Sequence, residues 1–316
     1  MTDDVAGKTT LSRRNMLQLG AGALGAASGL APFAVGAQAP ALKTVKPGVL
    51  TAACTGDMPL TSLRDGKPIG TDLEMLGRIA ERLGLKLEVQ IVAFPAVVEA
   101  VQSGRADWFG GNFAWTPPRS QIMLLTDAVF YTSKFAIMRQ SEPYKDSVSV
   151  ADFAGRTIGS GVGYAFVPDM KKVTAAKEVK LYDGIDSCMR DIIAGRLDFA
   201  VLDAPVIDYM IQQNALALKQ VPIVYDEAFP LLTRKNNAIW AMYGQNPDLY
   251  DAVNAGVAWL WKTGQIKEIL GKYGITSPAY LEPVQPSPRL TIDRDASGAT
   301  IGPFAHKARD FSSIFG

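Results

Sequence analysis

The chain has 316 residues, 48% of them hydrophobic and 20% charged, with a formal net charge of +1. This is the balance of a globular protein long enough for two domains or lobes, and the absence of any basic block argues against a nucleic-acid partner. One histidine, His306, and two cysteines, Cys54 and Cys188, speak against a His/Cys zinc site, which needs about four ligands, and against a Ser-His-Asp triad.

Residues 1–37 stand apart. Ser12-Arg13-Arg14-Asn15-Met16-Leu17 opens an Ala/Gly/Leu-rich run that ends in Val35-Gly36-Ala37. A paired-arginine head before a mildly apolar stretch and small residues resembles a twin-arginine export signal. Pro32 and scattered Gly and Ser weaken the run as a retained anchor, and nothing further along reaches the roughly 18 apolar residues of a span. The expectation is a removable signal and a periplasmic protein. Export permits a disulfide, but the two cysteines are assigned to different lobes and are expected as buried free thiols.

The next elements alternate between strand and helix. Gly48–Cys54 predicts a strand, and Thr55-Gly56-Asp57 follows it. Gly70–Leu83 predicts a helix, because Leu73, Leu76, Ile79, Ala80 and Leu83 share one face. Leu85–Val92 alternates as a strand and leads to Phe94. Val97–Gly110 (VVEAVQSGRADWFG) then reads as a short helix, Gly-Arg-x-Asp, and an apolar strand. Its counterpart is Cys188–Val201 (CMRDIIAGRLDFAV). In both, the glycine suits a helix C-terminus and the apolar run suits a buried parallel strand.

Residues 110–121 (GGNFAWTPPRSQ) read as a stiff loop, too broken for a helix, with two prolines and one cation, Arg119. Phe135–Met138 predicts a strand between the halves. The second half has a strand at Thr157–Gly159, a helix at Ala165–Lys172, a strand at Val179–Tyr182 and a helix at Ile185–Ala194. After the polar segment Leu231–Asn237 come a strand at Ala238–Met242 and helices at Asp248–Trp261 and Gln265–Tyr273. Trp108 is assigned to the core, and Trp240, Trp259 and Trp261 to packing.

These elements predict an α/β fold of two lobes, each a mostly parallel sheet flanked by helices, joined by two crossing strands. The first lobe is expected at 42–132 plus 236–275 and the second at 137–230. Residues 276–316 are read as an extended C-terminal tail.

Ligands of such sheets sit beyond the carboxyl ends of strands. One strand runs into Gly110-Gly111-Asn112 and then Arg119. Its counterpart runs into Leu202-Asp203. A guanidinium grips a carboxylate through two parallel hydrogen bonds, and a carboxylate accepts from an ammonium, so together they suit a zwitterion. The plainer readings are a surface arginine and, for Asp203, a helix N-cap before Ala204-Pro205.

Three segments in order add to this. Gly70-Thr71-Asp72-Leu73-Glu74-Met75-Leu76 through Ala80-Glu81-Arg82-Leu83-Gly84 resembles a signature of family 3 extracytoplasmic solute-binding proteins. Trp115-Thr116-Pro117-Pro118-Arg119 with Leu125-Thr126-Asp127 and Phe130-Tyr131 resembles a second. Ala194-Gly195-Arg196-Leu197-Asp198 through Asp203 resembles a third. The resemblance implies a monomeric, non-enzymatic periplasmic binding protein. It would close on a small solute, an amino acid or a close analogue, and deliver it to an ABC transporter permease, meeting the membrane only through that permease. It assigns the ligand carboxylate to Arg119, the ammonium to Asp203 and an aromatic wall to Phe94. The remaining candidate site residues are Asp57, Asn112, Ala114, Trp115, Thr116, Tyr164 and Ala165.

The chain departs from the family at three of these. Asp57 stands where an aromatic is common, Ala114 where a hydroxyl is frequent, and Ala165 where Ser or Thr usually holds the carboxylate. Gly159-Ser160-Gly161-Val162-Gly163 is no G-x-G-x-x-G, and no metal or cofactor is expected. Two alternatives stay open: an enzyme of cyclohexadienyl dehydratase type on the same fold, with Asp57 or Asp203 as its acid, and a degenerate cleft that binds a partner protein.

Overall fold

The computed structural model describes residues 42–316; the expected export signal lies outside the described residues. In chain order the first lobe opens with β1 (Val49–Cys54), the hairpin β2 (Ser62–Arg64) and β3 (Lys67–Ile69), α1 (Thr71–Arg82), β4 (Lys86–Ile91) and α2 (Phe94–Gln102). It continues with β5 (Trp108–Ala114), α3 (Pro117–Ser120), β6 (Leu124–Leu125) and β7 (Phe130–Thr132). The second lobe holds β8 (Phe135–Arg139), β9 (Thr157–Gly161), α4 (Val167–Met170), β10 (Glu178–Tyr182), α5 (Ile185–Ile193), β11 (Phe199–Val201), α6 (Ala204–Asn214), β12 (Leu218–Pro222) and α7 (Pro230–Thr233). The chain then returns through β13 (Asn236–Met242), α8 (Pro247–Lys262) and α9 (Gln265–Lys272), and ends in α10 (Ser312–Phe315).

Two sheets result. The first has the order β4-β1-β5-β13-β6, with β7 also on β13, and the second β10-β9-β11-β8-β12. β1 runs parallel to β4 and β5, and β9 parallel to β10 and β11, while β13 and β8 are antiparallel to their neighbours. The antiparallel members are the strands next to the crossings. The chain passes between the sheets at Ser133-Lys134 and again at Arg234-Lys235.

The periodicity of α1 has its expected consequence. Leu73, Leu76, Ile79 and Ala80 are buried on one face, against Val253 and Val257 of α8 and Ile266 and Ile269 of α9 in one apolar cluster. Each such side chain contributes roughly 1.5–3 kcal/mol by leaving water. Trp108 and Trp240 cross edge to face, with centroids 5.2 Å apart, in the same core. The second lobe buries Phe153, Ile158, Met170, Phe199 and Val201. Cys54 and Cys188 are free and buried, and burial raises both thiols well above their ordinary range, which leaves them unreactive.

Residues 110–121 differ from the expected loop. β5 continues through Ala114, and Pro117–Ser120 forms a helical turn. Both prolines fall in its first two positions, where no N–H is needed for an intrahelical bond.

The segment after α9 has only short helical turns, yet it is bonded firmly to the first lobe. Arg289 donates from Nη2 to the carbonyl of Leu125 (2.8 Å) and to Asp293 Oδ2 (2.8 Å). Arg294 donates from Nη2 to the same Leu125 carbonyl (2.7 Å) and to the Tyr250 hydroxyl. Phe311 and Phe315 are buried in the apolar cluster that also holds α1, α8 and α9. These guanidiniums cover the Leu125 carbonyl of β6, the edge strand of its sheet, and so obstruct it as a template for further pairing. Among the described residues no helix is long and apolar enough to cross a membrane.

Candidate functional site

The carboxyl ends of β1, β5, β9 and β11 converge on a cavity of ≈ 420 Å³, with walls from both lobes. Asp57, Phe94, Asn112, Ala114, Arg119, Tyr164, Ala165 and Asp203 all line it.

The wall from the first lobe depends on Asp72, which is fully buried. Its Oδ2 accepts the Gly111 N–H at 2.6 Å and the Trp240 indole N–H at 3.1 Å. Burial pushes its carboxyl up to about 6, against the opposing pull of these donors. Gly110 is required by space: a Cβ there would lie 2.5 Å from the Trp108 ring and 2.7 Å from Asp72 Oδ2. Asn112 follows with φ 57, a left-handed conformation that asparagine tolerates better than most residues. This turn aims its amide at the second lobe, where Nδ2 donates to Asp203 Oδ1 at 2.9 Å.

Arg119 lies on α3, with its guanidinium 3.8 Å from the centroid of the Phe113 ring. Nη1 donates to the Ala114 carbonyl at 2.6 Å, and Nη2 reaches across to the Gly163 carbonyl of the second lobe at 3.2 Å. Burial lowers its pKa to about 10, opposed by the charge of Asp203, so it remains a cation at neutral pH. Two of its five N–H groups serve these carbonyls.

Asp203 stands at the N-cap position of α6, but its side chain makes no cap hydrogen bond. The backbone therefore matches the plainer reading, while the carboxylate turns into the cavity and accepts from Asn112, with the Tyr164 hydroxyl nearby. Burial holds this carboxyl above the usual range, partly countered by the Lys134 cation. Phe94 meets Tyr164 edge to face at 5.8 Å and Phe109 at 5.9 Å, which makes an aromatic wall across both lobes. Asp57 is half-buried; burial raises its carboxyl, opposed by a hydrogen bond from Thr55. Ala165 presents only a methyl group to the cavity.

Two expected site residues do not line it. The pleat of β5 places Ala114 toward the cavity and Trp115 away from it. Trp115 is buried beside Phe109, Phe113 and Leu125, and its indole N–H donates to Asp293 Oδ2 at 2.9 Å. Thr116 is buried at the N-cap of α3, where its carbonyl accepts the Ser120 N–H. Reading 110–121 as a loop concealed this alternation.

The lining residues that escaped the sequence reading include a second cation. Lys134, in the first crossing between the lobes, is 6% exposed and lines the cavity. Its Nζ lies 4.8 Å from the Phe166 ring centroid. Burial lowers its pKa, with Asp203 opposing and Arg119 reinforcing. The available signal was a lone lysine within an otherwise uncharged run, Ala128–Met138.

Comparison with known proteins follows the same outline. The model of the family described as bacterial extracellular solute-binding proteins, family 3, matches residues 50–276. The probable amino-acid-binding protein YxeM of Bacillus subtilis (strain 168) is 26% identical over 231 residues, 71% of this chain and 83% of that protein. The L-cystine-binding protein TcyJ of Escherichia coli (strain K12) is 21% identical over 234 residues, 73% of this chain and 84% of that protein. Among solved structures, an ancestral arginine-binding protein bound to glutamine superposes with a TM-score of 0.63 at 23% identity, covering 73% of this chain and 99% of its own. The ancestral amino acid-binding protein AncCDT-1, a precursor of cyclohexadienyl dehydratase, gives 0.62 at 19% identity, covering 72% and 95%. At these identities the structures speak for the fold, a two-lobed α/β binding-protein architecture. The family match spans most of the chain, and this protein belongs to the bacterial extracellular solute-binding proteins, family 3.

Proposed function

We propose that this chain is an exported periplasmic receptor that captures a small zwitterionic solute, an amino acid or close analogue, by closing its lobes, and then presents it to the permease of an ABC importer. The observation that carries this reading is the opposition of Arg119 and Asp203, one from each lobe, across a single cavity. Arg119 takes the ligand carboxylate with its remaining N–H groups. Asp203, oriented by Asn112 and Tyr164, takes the ammonium. Phe94 and Tyr164 flank the ligand's apolar part, and Asp57 offers an acceptor toward the mouth. The Ala114 carbonyl and the Phe113 face hold the guanidinium in place, so little side-chain entropy is lost on binding. The contacts Asn112–Asp203 and Arg119–Gly163 already join the lobes, and a ligand touching both favours the closed arrangement.

Titration calorimetry against amino acids, opines and small amines tests this. Arg119→Ala leaves a buried ligand carboxylate unpaired and is expected to weaken binding by about 3–5 kcal/mol, roughly a hundredfold to several thousandfold. Unchanged affinity removes Arg119 from the site.

A second reading has its own support. Asp203 is a buried cleft acid held above the usual carboxylate range, as a general acid requires, and the fold is shared with the dehydratase precursor AncCDT-1. Formation of an aromatic product from prephenate or arogenate would establish an enzyme in place of a receptor.

A further inference from the structure

Two cations face the interior of this cavity, and one of them has no hydrogen-bond partner among the described residues. Arg119 is bonded to the carbonyls of Ala114 and Gly163. Lys134 is 6% exposed, and its ammonium makes no hydrogen bond or close ion pair with any described residue; it lies over the Phe166 ring, 4.8 Å from the centroid. The nearby acid, Asp203, acts on it through charge alone; its carboxylate accepts from Asn112 instead. Of the other lining acids, Asp57 takes a hydrogen bond from Thr55 and Asp183 is exposed. The lysine is not free to swing away, because its own carbonyl accepts the Ile223 N–H at 3.0 Å, pinning the crossing to the second sheet.

The ammonium opens onto the cavity, and a ligand that filled the cavity without offering it an acceptor would leave it desolvated and unpaired, which is costly. A ligand with one carboxylate and one ammonium satisfies Arg119 and Asp203 and leaves Lys134 as it stands. A ligand with a second carboxylate satisfies all three. We propose that Lys134 is the specificity-determining residue of this cavity and selects an amino acid carrying a second acidic group. One carboxylate meets Arg119, the other meets Lys134, and the ammonium meets Asp203. Ala165 fits this division: it supplies no hydroxyl to the first carboxylate, so charge dominates recognition. The inference rests on the amino-acid-receptor reading above and narrows it to amino dicarboxylates.

The test compares isosteric pairs by calorimetry on the full chain, L-glutamate against L-glutamine and L-aspartate against L-asparagine, for wild type and Lys134→Met. The wild type is expected to prefer each acid over its amide by tenfold or more. Lys134→Met should erase this preference, the acid losing at least tenfold in affinity relative to its amide. The wild-type comparison needs no variant and stands whether or not Lys134→Met folds. If the amides bind wild type as tightly as the acids, or Lys134→Met keeps the preference, the inference is overturned while the receptor reading survives. If no amino acid binds the wild type, both fall.

Discussion

Asp72 shows how one side chain shapes the site without entering it. Its carboxylate is buried with donors but no cation, and its pKa is raised from 3.8 to about 6. The folded state therefore holds a proton that the unfolded state has released between those two pH values. The sign follows: stability contributed by the protonated form is fully present below about pH 4 and is lost as pH rises to about 6. The shift corresponds to roughly 3 kcal/mol. Asp72→Asn can still accept the Gly111 and Trp240 N–H groups through its amide oxygen, so it is expected to gain on wild type across that window and to flatten this part of the profile. Urea denaturation at intervals from pH 4 to 7 measures it; an identical slope in both proteins would show that Asp72 does not titrate there. Gly110→Ala acts on the same turn by a different route. The added methyl meets Trp108 and Asp72 at under 3 Å, and overpacking of this kind costs about 1–3 kcal/mol. The variant should melt lower and bind solute more weakly together.

At the scale of elements, the C-terminal segment is the feature with most structure and least sequence signature. Arg289, Asp293 and Arg294 are all buried, and Asp293 links both arginines to Trp115, which precedes the turn carrying Arg119. Asp293→Ala takes from the buried Arg289 guanidinium its close carboxylate at 2.8 Å, leaving Asp127 at 3.9 Å, and is expected to cost about 3–5 kcal/mol. Trp115→Phe removes one hydrogen bond to a charged acceptor and is expected to cost about 1.5–3 kcal/mol. Equilibrium denaturation of each variant checks the order. Equal effects would mean that the tail is held by apolar contacts such as Phe311 and Phe315, with the ionic network contributing little. Strand and helix periods made α1, β4, α5 and α9 readable in advance to within a residue or two. The tail had no period to read, because its order comes from side chains bonding carbonyls more than a hundred and sixty positions away.

For the whole molecule, the lobes meet through few polar contacts and are joined by two short crossings, so closure should respond to ligand. A saturating solute at a hundred times its dissociation constant is expected to stabilise the protein by about 2.7 kcal/mol and to reduce its radius of gyration in solution scattering. Arg119→Ala should lose both effects at the same concentration. A compact form insensitive to every binding solute would count against a closing receptor.

What followed from the order of residues alone was the repeated half, Gly-Arg-x-Asp before an apolar strand, and with it two α/β lobes whose strand ends bring Arg119 and Asp203 to one place. Those features are local: helical spacing, glycine at helix ends and polar residues beyond buried strands are written in neighbouring positions. Tertiary structure decided which faces those residues present. It turned Trp115 and Thr116 away, because β5 runs further than a proline-rich segment suggests. It brought Lys134 in, because a crossing segment takes its orientation from both sheets it joins. It set Asp72 beneath the glycine turn, where a carboxylate far back in the chain holds the backbone of another strand. Such placements depend on pairings between distant segments, and the burial that gives them their energy exists only once the chain has folded.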